Sequence, residues 1–190
     1  NRIGNATTTQ LGDYRTPGQK AFFAYSTNTY ADGVHWRAQP QMYYYYNNIG
    51  MMAEYAISSQ EVRLGNASDR LQHTAWQLVA SYMLTGEDIN FKGPVKPEKK
   101  FNPAGNEWGA FEVAARVGET DIDNDAFSSF ASATTSASRA RSYGGGINWF
   151  LNENVNLLLD YNYTNFDGGA ASGADRESEQ VSVLRTQFRF

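Results

Sequence analysis

The stretch that decides the fold is VNLLLDYNYTNF, residues 155–166. Leu157, Leu159 and Tyr161 fall on one side of it, whereas Asp160 and Asn162 fall on the other. Successive side chains of a β-strand point to opposite sides, so a period of two residues is typical of a strand with one apolar and one polar face. The stretch therefore predicts a strand of about ten residues, the length that crosses a membrane at a tilt.

The same alternation recurs along the chain. In WGAFEVAARV, for example, Phe111 and Val113 oppose Glu112 and Arg116. With 155–166, the alternating stretches predict about eight strands in a single all-β, antiparallel domain over residues 1–190. The other stretches are 18–26, 34–46, 51–60, 74–84, 108–117, 142–151 and 179–190.

The connections between these strands differ in length. The Asn-rich segments 47–49 and 152–154 predict tight turns, because Asn tolerates a positive φ. Longer polar segments predict loops at 65–70, 119–140 and 167–179. Short turns at one end and long loops at the other are typical of an outer-membrane barrel.

The polar linker 85–107 departs from this pattern, because it is long although it lies on the side of the short turns. It contains the densest positive patch of the chain, formed by Lys92, Lys96, Lys99 and Lys100. The patch is either a solvated, proline-stiffened linker or a group of charges that attracts anions to one mouth of a pore.

Composition excludes several classes of protein. The chain has no cysteine, so disulfide scaffolds, thiolate metal sites and cysteine nucleophiles are excluded. A net charge of −4 gives no support for nucleic-acid binding. No run approaches the ~20 consecutive apolar residues of a transmembrane helix. Because no nucleophile motif such as GxSxG occurs, we do not expect an enzyme or a cofactor.

No metal site is expected either. Asp121, Asp123 and Asp125 resemble the start of a calcium loop, but Ala126 and Ser132 stand where that loop needs Gly and Glu. The two histidines, His35 and His73, lack a second ligand at metal-binding spacing.

Alternation alone fits both a soluble sandwich and a membrane barrel, which differ in what covers the apolar face. Aromatic residues near strand ends favour the barrel, because such residues form girdles at the two membrane interfaces. The predicted interface aromatics are Trp36, Tyr44, Trp149, Tyr161 and Phe190. The opposite face then lines a watery lumen, and its predicted pore-lining residues are Arg37, Gln39, Glu54, Glu112, Arg116, Asp160, Arg185 and Arg189.

Several longer segments add a family resemblance. The chain resembles the phosphate-selective porins of the O and P type in segments that follow one another in the family's order. TAWQLVASYMLTGED (74–88), followed by WGAFEVAAR (108–116), is the most specific match. The other matching segments are YRTPGQKAFFAYS, QPQMYYYYNNIGMMAEY, INWFLNENVNLLLDYNYTNFDGG and RTQFRF.

The resemblance implies a trimeric barrel of about sixteen strands in the bacterial outer membrane. It also implies long loops folded into the pore, the passage of small anions such as phosphate, and contact with outer-membrane lipids. Phe190 resembles the terminal residue that the barrel-assembly machinery reads. With about eight strands, the chain is expected to form the C-terminal half of such a barrel. The alternative is a small closed eight-stranded barrel with a structural or binding role.

The resemblance implies phosphate selectivity, but the predicted lining is mixed in charge. Arginine side chains suit phosphate through their forked donors. The carboxylates Glu54, Glu112 and Asp160 on the same face offset that field.

Overall fold

The computed structural model describes residues 1–89 and 95–189. The described residues form a short α-helix, α1 (Ala126–Ser129), and two 3₁₀ turns, Pro103–Gly105 and Ala171–Gly173. In this part of the chain no helix is long and apolar enough to cross a membrane. The strands are β1 (Arg2–Ile3), β2 (Tyr14–Arg15), β3 (Ala21–Phe23), β4 (Tyr30–Ala38), β5 (Gln41–Tyr46), β6 (Ile49–Leu64), β7 (Ala67–Met83), β8 (Ala110–Asp121), β9 (Ala137–Phe150), β10 (Val155–Gly168) and β11 (Glu179–Phe188).

One nine-stranded antiparallel sheet contains all of these strands except β2 and β3. Its order is β1-β4-β6-β7-β8-β9-β10-β11, and β5 also pairs with β6. The prediction of an all-β antiparallel fold is confirmed. Within the described residues β11 pairs only with β10, so the sheet is open and does not form the closed eight-stranded barrel of the alternative prediction.

The predicted loop at 65–70 is wrong. Strand β6 runs for 16 residues and β7 for 17, and Gly65 and Asn66 alone connect them. Gly65 has a φ of 59°, which glycine adopts without the strain that a Cβ would cause. The polar residues after this turn continue the ladder, because Arg70 lies opposite Glu61 and forms an ion pair with it.

The predicted strand 34–46 is divided into β4 and β5. Both pair with β6 along one line, and Gln39 and Pro40 separate them. Proline has no N–H to donate to a ladder, which explains the break. The carbonyl of Pro40 still accepts a hydrogen bond from Tyr55 N at 3.1 Å.

The predicted strand at 18–26 is also wrong as a strand of the main sheet. Only Ala21–Phe23 is a strand there, and it pairs with β2 in a hairpin outside the main sheet. Phe22 and Phe23 are adjacent in the sequence and both are buried in the structure, which no strand with one solvated face allows. We call residues 13–26 the strap.

The main core lies between the strap, the sheet and the connection 122–136. Phe23 is 1% exposed, and Val62 and Leu71 of the sheet are fully buried in the same cluster. The predicted polar loop 119–140 is therefore shorter than expected, and part of it packs as core. From this connection Ile122, Ala126, Phe130 and Ala131 join the cluster.

The linker between β7 and β8 packs against the turns at the opposite end of the sheet. Phe101 N donates to Leu151 O at 2.7 Å, and Lys96 and Lys100 form ion pairs with Glu153 at 3.6 and 3.4 Å. The hydrogen bond from Lys100, with the charges of both lysines, lowers the pKa of Glu153. Part of the predicted positive patch is thus neutralised, and Lys92 lies outside the described residues.

Candidate functional site

The sheet has one face that exposes large apolar side chains, which we call the apolar face. Ile147 of β9 lies in register with Val113 of β8 and Leu159 of β10, and Leu159 lies opposite Leu184 of β11. Leu159 is 54% exposed and Leu184 75% exposed. The same face includes Met51 and Leu78 on the longer strands. Exposed apolar side chains thus extend from β6 to β11.

Aromatic residues border this apolar face near both ends of the strands. Near the linker end, Trp149 stacks on Phe111 with ring centroids 5.6 Å apart, and its Nε1 donates to Trp108 O at 2.6 Å. Tyr143 of β9 and Tyr163 of β10 lie opposite each other nearer the other end of these strands. Of the predicted interface aromatics, Trp36, Tyr44, Trp149 and Tyr161 lie on this face, and Phe190 lies outside the described residues.

Beyond Tyr143 the apolar face gives way to a band of ion pairs. Arg139 contacts Asp121 at 2.6 Å and Asp167 at 2.9 Å. Arg141 pairs with Glu119. On the neighbouring strands β4, β6 and β7, Arg63 pairs with Asp32, and Arg70 pairs with Glu61. We call these residues the ion-pair band, and their positive and negative charges lie in direct contact.

The opposite, polar face holds its charges differently. The carboxylate of Glu54 accepts hydrogen bonds from the amide groups of Gln41 at 3.2 Å, of Gln77 at 2.7 Å and of Gln39. Asn148 Nδ2 donates to Glu112 at 2.9 Å in the same manner. Neutral amides therefore solvate these two carboxylates without removing their charge.

Arg116 on this face reaches across β9 to β10. Its Nη2 donates to Asn162 Oδ1 at 2.5 Å, and Asn162 Nδ2 donates to the carboxylate of Asp160. Gly144 lies between Arg116 and Asn162 in register, and a Cβ there would lie 2.7 Å from Asn162 Oδ1. Glycine at position 144 thus leaves room for the arginine to cross.

The remaining predicted lining residues occupy the same face or its border. Arg37 Nε donates to Ser58 Oγ at 3.2 Å, and Arg185 lies exposed opposite Leu158. Arg189 follows β11, and its backbone N donates to Asn154 O at 2.8 Å. Across residues 1–89 and 95–189, no ion pair joins two strand residues of the polar face.

The strap crosses the polar face from β7 to β11. At one end Asp123 N donates to His73 Nδ1 at 3.0 Å, so His73 Nε2 carries the ring proton and donates to Tyr25 Oη at 2.8 Å. Burial raises the pKa of the Tyr25 phenol. At the other end Thr16 Oγ1 donates to Glu179 Oε1 at 2.7 Å. The strap is therefore fixed on both sides.

A cavity of about 320 Å³ lies between the strap and the polar face of the sheet. The strap lines the cavity with Arg15, Thr16 and Phe22. The lining residues of the sheet include Glu54 and Arg116. Arg15 itself pairs with Asp13 at 3.1 Å. The arrangement narrows the space above the polar face and brings charges of both signs to the narrowed part.

In the described part of the chain, no group of three or more histidine or acidic side chains is placed to hold a metal ion. Asp123, a candidate from the calcium-like motif, instead accepts hydrogen bonds from Gln72 N and Asp125 N.

The antiparallel sheet thus has one exposed apolar face and one charged, amide-rich face. The model of the family "phosphate-selective porin O and P" matches residues 11–190, nearly the whole chain. The chain belongs to this family. No curated protein matches the sequence. Membership in a porin family indicates a channel rather than an enzyme.

Two parts of this porin site were not predicted from the sequence. Gln77, Asn148 and Asn162 fall on the polar face by alternation, but only the strand register shows which charge each one contacts. The alternation at 18–26 predicts a strand, whereas the chain there forms part of the strap. Its signals are the turn residues Thr16-Pro17-Gly18 and the two adjacent phenylalanines, which together favour a buried hairpin.

Proposed function

We propose that this chain forms part of the wall of a bacterial outer-membrane channel through which small anions, such as phosphate, diffuse passively. The observation that carries the proposal is the contrast between the two faces of one sheet. One face exposes a continuous set of large apolar side chains, and the other holds charges that have no ion-pair partner among its strand residues.

The apolar face fits lipid better than water. Soluble proteins rarely expose apolar patches larger than a few hundred Å², and this face extends over six strands. On β9, the distance from Tyr143 to Trp149 is about 20 Å at ~3.3 Å per residue. That length is close to the ~25 Å apolar band of outer-membrane barrels, which aromatic girdles flank in the same manner.

The open sheet supports closure by further strands. The outer edges of β5 and β11 carry backbone groups that the described residues do not pair. Unpaired backbone groups cost several kcal/mol each in hydrocarbon, so membrane sheets close into barrels. We therefore include in the proposal a barrel of about sixteen strands and the trimeric assembly expected for the family.

The polar face supports passage of ions. Charges that are solvated by amides, but not paired with opposite charges, maintain an electrostatic field in the lumen. Arg37, Arg116, Arg185 and Arg189 lower the barrier for an anion, and guanidinium groups suit phosphate through their forked donors. Glu54, Glu112 and Asp160 act in the opposite direction, so we expect a moderate preference for anions.

Planar-bilayer recordings test this function. The reconstituted protein should give stable conductance steps, and a salt gradient should give a reversal potential that indicates anion preference. Arg116→Ala and Arg185→Ala should each lower the anion-to-cation permeability ratio. A folded protein that gives no steps contradicts the channel, and unchanged reversal potentials in both variants contradict the role of these arginines.

A further inference from the structure

The polar face contributes two charges of opposite sign to the cavity beneath the strap. Glu54 of β6 and Arg116 of β8 both line it, and Thr16 and Phe22 of the strap cover it. Its volume of about 320 Å³ falls in the range of small-molecule pockets. The cavity can therefore hold a solute that contacts Glu54 and Arg116 at once.

Within residues 1–89 and 95–189, neither charge contacts a group of opposite charge. The carboxylate of Glu54 accepts hydrogen bonds only from glutamine amides, and Arg116 donates to the neutral side chain of Asn162. The two other charged residues that line the cavity are already paired, Arg15 with Asp13 and Glu119 with Arg141. Glu54 and Arg116 thus remain as one negative and one positive group without a counter-ion in contact.

The sheet sets the distance between them. Glu54 lies opposite Gln77 of β7, and Gln77 lies opposite Gly118 of β8, two residues from Arg116. Neighbouring strands are about 4.8 Å apart, so β6 and β8 are separated by about 10 Å. A solute that contacts both groups must carry its own charges several ångströms apart.

We propose that this cavity is a binding subsite for short linear zwitterions, such as an ω-amino acid or a dipeptide. The ammonium group of the solute lies at Glu54 and its carboxylate at Arg116. The inference rests on the proposed channel and deepens it, because it names a class of solute that the narrowed part of the pore retains.

A small inorganic anion fits the cavity less well. It can contact Arg116 but gains nothing from Glu54, whose negative charge repels it. A monocation has the reverse problem. Only a solute with both charges is complementary to the pair, and this distinguishes the subsite from a general anion path.

Saturation-transfer NMR on the full chain, folded in detergent micelles, tests the subsite without using conductance. The probe is 6-aminohexanoate, and hexanoate and hexylamine are its singly charged controls. We expect binding of the probe, and Glu54→Gln or Arg116→Gln should weaken it about fivefold, the effect of one partly solvated charge contact. Glu112→Gln and Arg185→Gln remove the same charges outside the cavity and should leave probe binding intact.

The outcomes separate the subsite from the channel. Equal binding of hexanoate and 6-aminohexanoate, no binding of the probe, or equal effects of the cavity variants and the controls outside it would overturn the subsite. If bilayer recordings show conductance while the probe does not bind, the channel stands and the subsite fails. If the probe binds with the expected variant pattern but no conductance appears, the subsite stands and the proposed function fails.

Discussion

In the ion-pair band, which borders the apolar face, the guanidinium groups of Arg139 and Arg141 contact carboxylates. On the polar face, Glu54 and Arg116 form hydrogen bonds to neutral amides of the described residues instead. Both sets of charges lie on the same antiparallel sheet and differ only in which side of a strand carries them. The difference shows that charge is paired where it borders the exposed apolar surface and left unpaired where the proposed lumen lies.

This contrast follows from solvation. A charge at the edge of an apolar belt loses part of its water, so a partner in contact offsets that loss. A charge that faces a water-filled lumen keeps its water, and neutral amides suffice to fix its position. A pore needs the second arrangement, because a paired charge exerts little field on a passing ion.

The largest effect on stability is expected from a charge placed on the apolar face. Leu159→Arg should lower the free energy of unfolding in lipid vesicles by about 2–4 kcal/mol, the cost of a guanidinium in the middle of a lipid-facing belt. Urea titration of the reconstituted protein measures this. Leu158→Arg is the matched control one residue away on the polar face, and should stay within about 1 kcal/mol of wild type although it lies opposite Arg185. Similar costs for both variants would refute the assignment of the faces.

The attachment of the strap to the polar face gives the next largest effect. Thr16→Val removes the hydrogen bond to the half-buried Glu179, whose other carboxylate oxygen, Oε2, is buried and has no partner among the described residues. The free energy of local opening of the strap should fall by about 1.5–3 kcal/mol, the range for a hydrogen bond to a charged group. Amide hydrogen exchange of residues 16–24 measures it. Thr134→Val, an exposed hydroxyl in the connection 122–136, is the control and should leave strap exchange unchanged.

Two neighbouring glycines, Gly144 and Gly145, test how closely the two faces of β9 are packed. Gly144→Ala places a Cβ on the polar face 2.7 Å from Asn162 Oδ1, which displaces the hydrogen bond from Arg116. We expect a loss of about 1 kcal/mol in unfolding free energy. Gly145→Ala, one residue on, lies on the apolar face, where the nearest atom to the new Cβ is 3.9 Å away. Its cost should be smaller, and a larger cost at Gly145 than at Gly144 would contradict the described crossing of Arg116.

The smallest effect is expected in the ion-pair band. Arg139 is more than one-third exposed, so Arg139→Gln should lower the free energy of unfolding by less than about 1 kcal/mol. The difference from wild type should shrink further in 1 M salt, because salt screens exposed charges. Urea titrations at two salt concentrations measure it. A loss that is larger and independent of salt would show that the band is a buried network rather than a solvated border.

The alternation of the sequence predicted most strands of the main sheet, although not the strap at 18–26 or the continuation of the ladder through 67–70. It assigned Leu159 and Asp160 to opposite sides correctly, because the period of two in a strand leaves no other arrangement. Membership of the porin family also followed from ordered segments of the sequence.

The rest depended on contacts that are distant in sequence. Thr16 and Glu179 are 163 residues apart, and no local pattern indicates that they meet. The strands also extend past the apolar belt, so polar residues such as Asp69 and Arg70 looked like a loop although their backbone groups continue the ladder. Register between strands, which alternation does not specify, decided the amide contacts of Glu54 and Arg116.

The most direct test of the central claim uses the absence of cysteine from the chain. Single cysteines at positions 157, 158, 159, 160, 161 and 162 of β10 can be labelled in proteoliposomes with a charged, membrane-impermeant thiol reagent. If the polar face lines a water-filled lumen and the apolar face contacts lipid, we expect rapid labelling at 158, 160 and 162 and protection at 157, 159 and 161. Uniform labelling along the strand, or labelling at the odd positions alone, would contradict it.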